Sequence, residues 1–262
     1  MYFDIVSDLH VDKWDGFEHE YDWSANKVSD IVIIAGDIAD DICTTVIELK
    51  KACTIYKKVL YVEGNHEATN NYDNIEYSKK EISNLMSKHE NFIFLSEQDC
   101  VFNDLVIIGA TGWWDFKICE PEIKEKECME CFDTSWCSIE GLGKEDIMKN
   151  ITEAAYKDYV SIRSKIEKYK DKYSICIVTH TVPHKALLSK NYPYDKKHAA
   201  SYGNSLFEAF FNEESVKCFI FGHNHDKSDV TLLNNKLCVN NARGRPSDYN
   251  RTVYKPIVIE LY

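Results

Sequence analysis

Short apolar runs, each stopped by a turn-forming or ligating residue, constrain this chain more than any other feature. They fall at residues 2–6, 31–35, 59–62, 92–95, 105–108, 175–178, 217–221, 237–239 and 257–261. Runs of about four to six β-branched and aromatic residues between turn formers are too short for helices and read as buried strands. Helical patterns separate several of them. Residues 41–56 put Ile42, Val46, Leu49 and Cys53 on one face, and 73–88 do the same with Ile75, Ile82, Leu85 and Met86. Residues 144–170 carry a stripe of Ile147, Ile151, Tyr159, Ile162 and Ile166, with a charged remainder read as solvated surface. The alternation predicts an α/β fold, a mixed sheet or two facing sheets with flanking helices. Asn234–Asn235 signals a hairpin near the C-terminus.

Five of the predicted strands end in residues that bind metals. Ser7–Asp8–Leu9–His10 follows the first, and Gly36–Asp37–Ile38–Ala39–Asp40 the second. Glu63–Gly64–Asn65–His66–Glu67 follows the third, and Thr179–His180 and Gly222–His223–Asn224–His225 follow the strands at 175–178 and 217–221. Ligands in open α/β sheets bind at the carboxyl ends of strands, where all five segments sit. If the strands continue extended, alternation aims Asp8 and His10 the same way, and likewise His223 and His225. Gly36, Gly64 and Gly222 permit sharp turns and close backbone approach. One such His or Asp is more often a cap or a surface residue. Seven together, Asp8, His10, Asp37, Asn65, His180, His223 and His225, exceed the four ligands of a closed zinc site. With one carboxylate shared, they suit two ions. Imidazole, carboxylate and carboxamide without thiolate favour Mn, Fe, Zn or Ni, with Mn²⁺ expected first.

The set Asp8-x-His10, Gly36–Asp37-x-x-Asp40, Gly64–Asn65–His66–Glu67, His180 and Gly222–His223-x-His225 resembles the calcineurin-like metallophosphoesterase superfamily. The resemblance implies a four-layer α/β/β/α sandwich of two mixed sheets flanked by helices, with the dinuclear site at the strand ends. It implies one ion held by Asp8, His10 and His225, another by Asn65, His180 and His223, and Asp37 bridging both. His66 matches the catalytic histidine and Asp40 the carboxylate that orients it. Residues 108–116 also resemble a "GATLWTDF" stretch, and 241–244 an "NPRGY" stretch, of a small bacterial and phage subgroup. Here Gly112 replaces an apolar residue, Ala242 replaces Pro and Arg245 replaces Tyr. The superfamily's protein phosphatases follow their second motif with Arg-Gly, a substrate-phosphate ligand, whereas Asp40 is followed by Asp41–Ile42.

The expected reaction is phosphate-ester hydrolysis. A hydroxide shared by two ions about 3.5–4 Å apart attacks phosphorus, Asn65 helps stabilise the charge, and His66 protonates the departing alkoxide. The missing Arg, and a Trp113–Trp114 pair able to stack on a base, tilt the expected substrate toward a phosphodiester such as a cyclic nucleotide or short oligonucleotide. A phosphomonoesterase is the alternative, and core packing is the competing reading of the tryptophans. Arg243, with Arg245 beside it, is a candidate phosphate ligand, although packed or surface arginines are common. A non-catalytic interaction module on the same fold is a rival from another class, but such modules lose the catalytic histidine, and His66 and all seven donors remain.

A net charge of −12, from 31 Lys+Arg against 43 Asp+Glu, argues against a basic groove for long nucleic acid while allowing a small phosphorylated substrate. The 44% hydrophobic content excludes disorder as the main state. No apolar run reaches the roughly 20 residues that span a bilayer. The strand-like start lacks a basic leader, so the ten cysteines read as reduced thiols in a cytoplasmic protein. With no linker or repeat, residues 1–262 are expected to form one domain, with an insertion or cap at about 112–143. Cys119, Cys128, Cys131 and Cys137 lie in that stretch; packed thiols are the preferred reading over a zinc site, because just one tight pair is present. His19, His89, His184, His198, Asp115 and Asp133 carry no motif.

Overall fold

Alternation within the strands builds the architecture. In β1 (Tyr2–Val6), β2 (Ile31–Ala35) and β3 (Lys58–Val62), the residues Phe3, Ile5, Ile33, Ala35, Leu60 and Val62 face one core. Their neighbours Val6, Val32, Ile34, Val59 and Tyr61 face another. The same division runs through β6 (Leu105–Gly109), β7 (Ser174–Val178) and β8 (Val216–Phe221). Ile107, Cys176, Val178, Cys218 and Ile220 join the first core, while Val106, Ile108, Ile175, Ile177, Phe219 and Phe221 belong to a third. Strands apolar on both faces must be covered on both faces, which is why these runs lack a polar alternation. The computed structural model describes residues 1–14, 21–69, 74–119, 127, 143–188, 199–225, 229–248 and 254–262.

The strands form two mixed sheets. With β4 (Phe92–Phe94), β5 (Cys100–Phe102), β9 (Asp229–Leu233), β10 (Lys236–Asn240) and β11 (Ile257–Glu260), the orders are β11-β1-β2-β3-β4 and β5-β6-β7-β8-β10-β9. The central pairs β1–β2, β2–β3, β6–β7, β7–β8 and β8–β10 are parallel, so their carboxyl ends open on one side. The first core lies between the sheets. Helices α1 (Ile42–Ile55) and α2 (Ile75–Met86) cover the outer face of the five-stranded sheet through Val46, Leu49, Ala52, Ile82 and Met86. Helix α3 (Lys144–Tyr169) and a 3-10 segment at Ser205–Asn212 cover the other through Ile162, Ile166, Phe207, Phe210 and Phe211. The fold is thus α/β, with four layers.

Predicted boundaries hold to within a residue or two, and two strands were not predicted. β5 is only three residues, joined to β6 through Asn103, whose φ of 47° makes a tight turn. β9 is the half-exposed partner of β10, and Asn234 and Asn235, at φ 51° and 62°, form the predicted turn between them. Gly112–Cys119, the start of the expected insertion, is buried in the body apart from Lys117. The rest of that stretch, with Cys128, Cys131, Cys137 and Asp133, lies outside the described residues, as do His19 and His198, while Cys119 is a buried free thiol. Asp115 accepts from Ser205 and Lys117, and His184 caps a short 3-10 turn. Among the described residues no helix is long and apolar enough to cross a membrane.

Candidate metal centre

All seven predicted donors meet where the parallel strands end, but the chain gets them there by turning rather than by staying extended. Asp8, His10, Asp37 and His223 have φ values of 52°, 43°, 55° and 64°, in the left-handed region that non-glycine residues rarely adopt. Such backbone costs of order 1–3 kcal/mol per residue and persists where the surroundings over-determine it. Here they do. The Asp8 and His10 amides donate to the Gly36 and Asp37 carbonyls at 2.9 and 3.1 Å, tying β1 to β2. The His223 amide donates to Asp8 at 3.0 Å, tying the two sheets together. A Cβ on Gly64 would stand 2.6 Å from the Asp37 backbone nitrogen, so this position requires glycine.

Two donor groups share Asp37. On one side, His225 Nε2 lies 3.0 Å from Asp8 Oδ1 and 3.1 Å from His10 Nε2, which is 3.7 Å from Asp37 Oδ2. On the other, His180 Nε2 lies 3.2 Å from Asp37 Oδ2, 3.0 Å from Asn65 Oδ1 and 3.1 Å from His223 Nδ1. Asp8, His10, Asp37 and His225 form one cluster able to hold an ion, and Asp37, His180 and His223 another. Ligand atoms on one ion, with bonds near 2.1 Å at right to tetrahedral angles, stand about 3.0–3.4 Å apart.

The outward hydrogen bonds set the tautomers that a metal needs. His180 Nδ1–H donates to the Ala35 carbonyl at 2.8 Å, His223 Nε2–H to the Ser201 carbonyl at 3.2 Å, and His225 Nδ1–H to Asp248 at 2.6 Å. Each leaves the other ring nitrogen with a lone pair facing its cluster. Converging lone pairs repel unless a cation or a proton sits among them. Charge points the same way, since Asp8 and Asp37 are fully buried and Asp37 Oδ2 has no hydrogen bond of good geometry. Burial disfavours their charged forms, yet the surrounding histidines hold both carboxyls below the usual range. Burial likewise opposes charge on His180 and His225, but Asp37 lifts the first to about 10, and Asp248 and Asp8 lift the second to about 9. The chain alone therefore recruits protons where divalent cations fit.

Glu67 fastens the underside: it accepts from the Gly64, Asp37 and Ile38 amides at 2.8, 3.2 and 2.7 Å. Burial and the Asp37 charge push its carboxyl up to about 8, a rise that a cation beside Asp37 would oppose. His66 stands beside both clusters, its Nδ1 2.7 Å from Asp40 Oδ1 and its Nε2 3.9 Å from Asp37 Oδ2. Lys13 grips Asp40 from the other side at 2.6 Å.

The three predicted substrate contacts sit differently. Trp113 and Trp114 are each 1% exposed and pack with Ile147, Ile151 and Ala155 of α3, so neither offers an open face for a base. Trp114 instead stacks on His223, with ring centroids 5.5 Å apart and 19° between planes. Arg243 lies buried over the Trp14 ring, its guanidinium carbon 4.0 Å from the centroid. Its neighbour Arg245 reaches the site, with Nη2 2.9 Å from His66 Nε2. The Asp248 role had no spacing signal in the sequence, and Glu67 stood in the third motif without a role assigned to it.

The comparisons agree with this geometry. The family described as calcineurin-like phosphoesterase matches residues 1–227. An uncharacterized protein of Acanthamoeba polyphaga mimivirus is 25% identical, over 94% of this chain and 91% of its own. The crystal structure of a phosphopantetheinyl hydrolase from Mycobacterium tuberculosis superposes with a TM-score of 0.75 at 16% identity, covering 97% of this chain and 95% of that one. A dimetal phosphatase from Danio rerio gives 0.58 at 15%, covering 100% and 93%. At such identities the two structures speak for the fold. The family match spans most of the chain and agrees with the motifs: the chain belongs to the calcineurin-like phosphoesterase family, whose chemistry is metal-dependent hydrolysis of phosphate esters.

Proposed function

We propose that the two clusters are the halves of a dinuclear phosphoesterase centre acting on a small phosphorylated substrate. Asp8, His10 and His225 would hold one ion and Asn65, His180 and His223 the other, with Asp37 shared between them. The observation that carries this reading is the sharing of Asp37 between two donor sets whose tautomers are fixed from outside. The ions, when bound, supply Lewis acidity and an activated water. Mn²⁺ is the first ion to try.

The chain's own residues do the rest. His66, held at Nδ1 by Asp40, presents Nε2 to the departing ester oxygen and gives it a proton. Asp40 acts through His66, orienting the ring, while Lys13 keeps Asp40 in place. Glu67 holds the Asp37 and Ile38 amides, and so the bridge, in register.

His66→Gln separates binding from chemistry. Loaded with Mn²⁺, the variant should keep the wild-type metal content but lose roughly 100-fold or more of its turnover on aryl and alkyl phosphates, the usual range for a general acid. Undiminished turnover on alkyl phosphates would remove His66 from the mechanism.

A further inference from the structure

The arginine that reaches the site is Arg245, and nothing in the two-ion arrangement requires it. Its Nη2 lies 2.9 Å from His66 Nε2, and its charge helps hold the nearby Asp248 carboxyl below the usual range, after the bond from His225. Its Nε is buried without a hydrogen-bond partner. The contrast with Arg243 is informative, because that guanidinium is spent on the Trp14 ring. The main chain around Arg245 is also fastened to the centre. Its amide donates to Asp248 Oδ2 at 2.9 Å, the oxygen that holds His225 at 2.6 Å, and the Gly244 amide donates to the Asp8 carbonyl at 3.0 Å. A cation with an unused Nε donor is thus held by a short, tied segment beside the proposed proton donor.

We propose that Arg245 selects dianionic phosphate monoesters by binding the phosphoryl oxygen that the two ions leave unserved. The proposal rests on the dinuclear phosphoesterase reading above. An ester oxygen bonded to His66 Nε2 would take the place of Arg245 Nη2 on that nitrogen, so the guanidinium must give way. It then comes to rest within hydrogen-bond reach of the same phosphoryl group. A monoester offers three non-ester oxygens and two negative charges, whereas a diester offers two oxygens and one charge. Two cations, when bound at the two clusters, would engage two of those oxygens. A planar guanidinium suits the third, and in a diester that third position belongs to an uncharged ester oxygen, which gives the guanidinium far less.

The test compares p-nitrophenyl phosphate with bis-p-nitrophenyl phosphate in Mn²⁺-loaded wild type, Arg245→Ala and Arg245→Lys, with metal content and thermal melts as controls. The expected result is a monoester-to-diester ratio of kcat/KM that falls roughly 10- to 100-fold in Arg245→Ala, with Arg245→Lys between. Calorimetric binding of inorganic phosphate should weaken by a similar factor relative to dimethyl phosphate, a readout independent of turnover. If Arg245→Ala fails to fold, the Lys variant and the phosphate titration carry the test. Equal losses on both substrates, or an unchanged ratio, overturn the proposal and leave the dinuclear reading standing. A wild type with two ions bound that cleaves neither ester overturns the dinuclear reading and the proposal with it.

Discussion

The residues that hold the site from behind were the least legible in the sequence. Asp8, His10, Asp37, Asn65, His66, His180, His223 and His225 stand at strand ends in short motifs, and the structure gathers all of them. Asp248 was invisible because it follows the last predicted donor by 23 positions and reaches His225 only through the turn at Gly244, whose φ is 75°. Arg243 and Arg245 are two positions apart and chemically identical, so nothing short of a backbone path tells which one faces the site. The outer shell gives sharp predictions. Asp248→Ala should weaken metal binding by roughly 10- to 100-fold, measured by competition with a chelator, because the His225 ring loses the bond that fixes its tautomer. Wild-type affinity would mean that His225 is oriented by something else. Gly64→Ala should cost about 1–3 kcal/mol of stability in urea unfolding and lower the metal content, since a methyl group there drives Asp37 out of place. An unperturbed variant with a full metal complement would contradict the close approach.

Elements were easier to read than their buried exceptions. The strands could be recognised because both faces of each sheet are covered, which turns a strand into a continuous apolar run. α3 was read with a solvated charged face, but Asp158 on that helix is buried and accepts from the Gly112 and Trp113 amides at 2.8 and 3.2 Å. It shares Lys79 of α2 with Glu63 at the end of β3, where the ammonium lies 3.5 Å from the carboxylate. This cluster locks α2, α3 and the Trp114 loop that backs His223. Burial raises the Glu63 and Asp158 carboxyls above their ordinary 4.5 and 3.8, and Lys79 opposes the rise. A carboxyl raised on folding contributes stability that is complete below its unfolded value and is lost as pH rises through its folded value. Removing the lysine extends that loss upward. Lys79→Met should therefore be destabilised by about 3–5 kcal/mol near neutral pH. The deficit against wild type should shrink as pH falls from about 8 to about 5, because the abandoned carboxylates take up protons. A deficit independent of pH would show that Lys79 matters through packing alone.

At the scale of the molecule, an acidic chain of net charge −12 concentrates buried carboxylates and imidazoles where its two sheets open. The four-layer arrangement followed from the resemblance more than from periodicity, since apolar runs by themselves do not say which strands share a sheet. Because cations bind the folded chain and relieve the crowded lone pairs, loading should raise the melting temperature by roughly 5–10 °C over chelator-treated protein. An unchanged melting curve would contradict a built metal centre. The most direct test titrates Mn²⁺ into metal-free protein and follows p-nitrophenyl phosphate hydrolysis against bound metal. Two clusters sharing Asp37 predict that turnover is absent without metal, remains low with one ion, and reaches its plateau at about two equivalents per chain. A plateau at one equivalent, turnover without metal, or inactivity with both ions bound would contradict a dinuclear phosphoesterase.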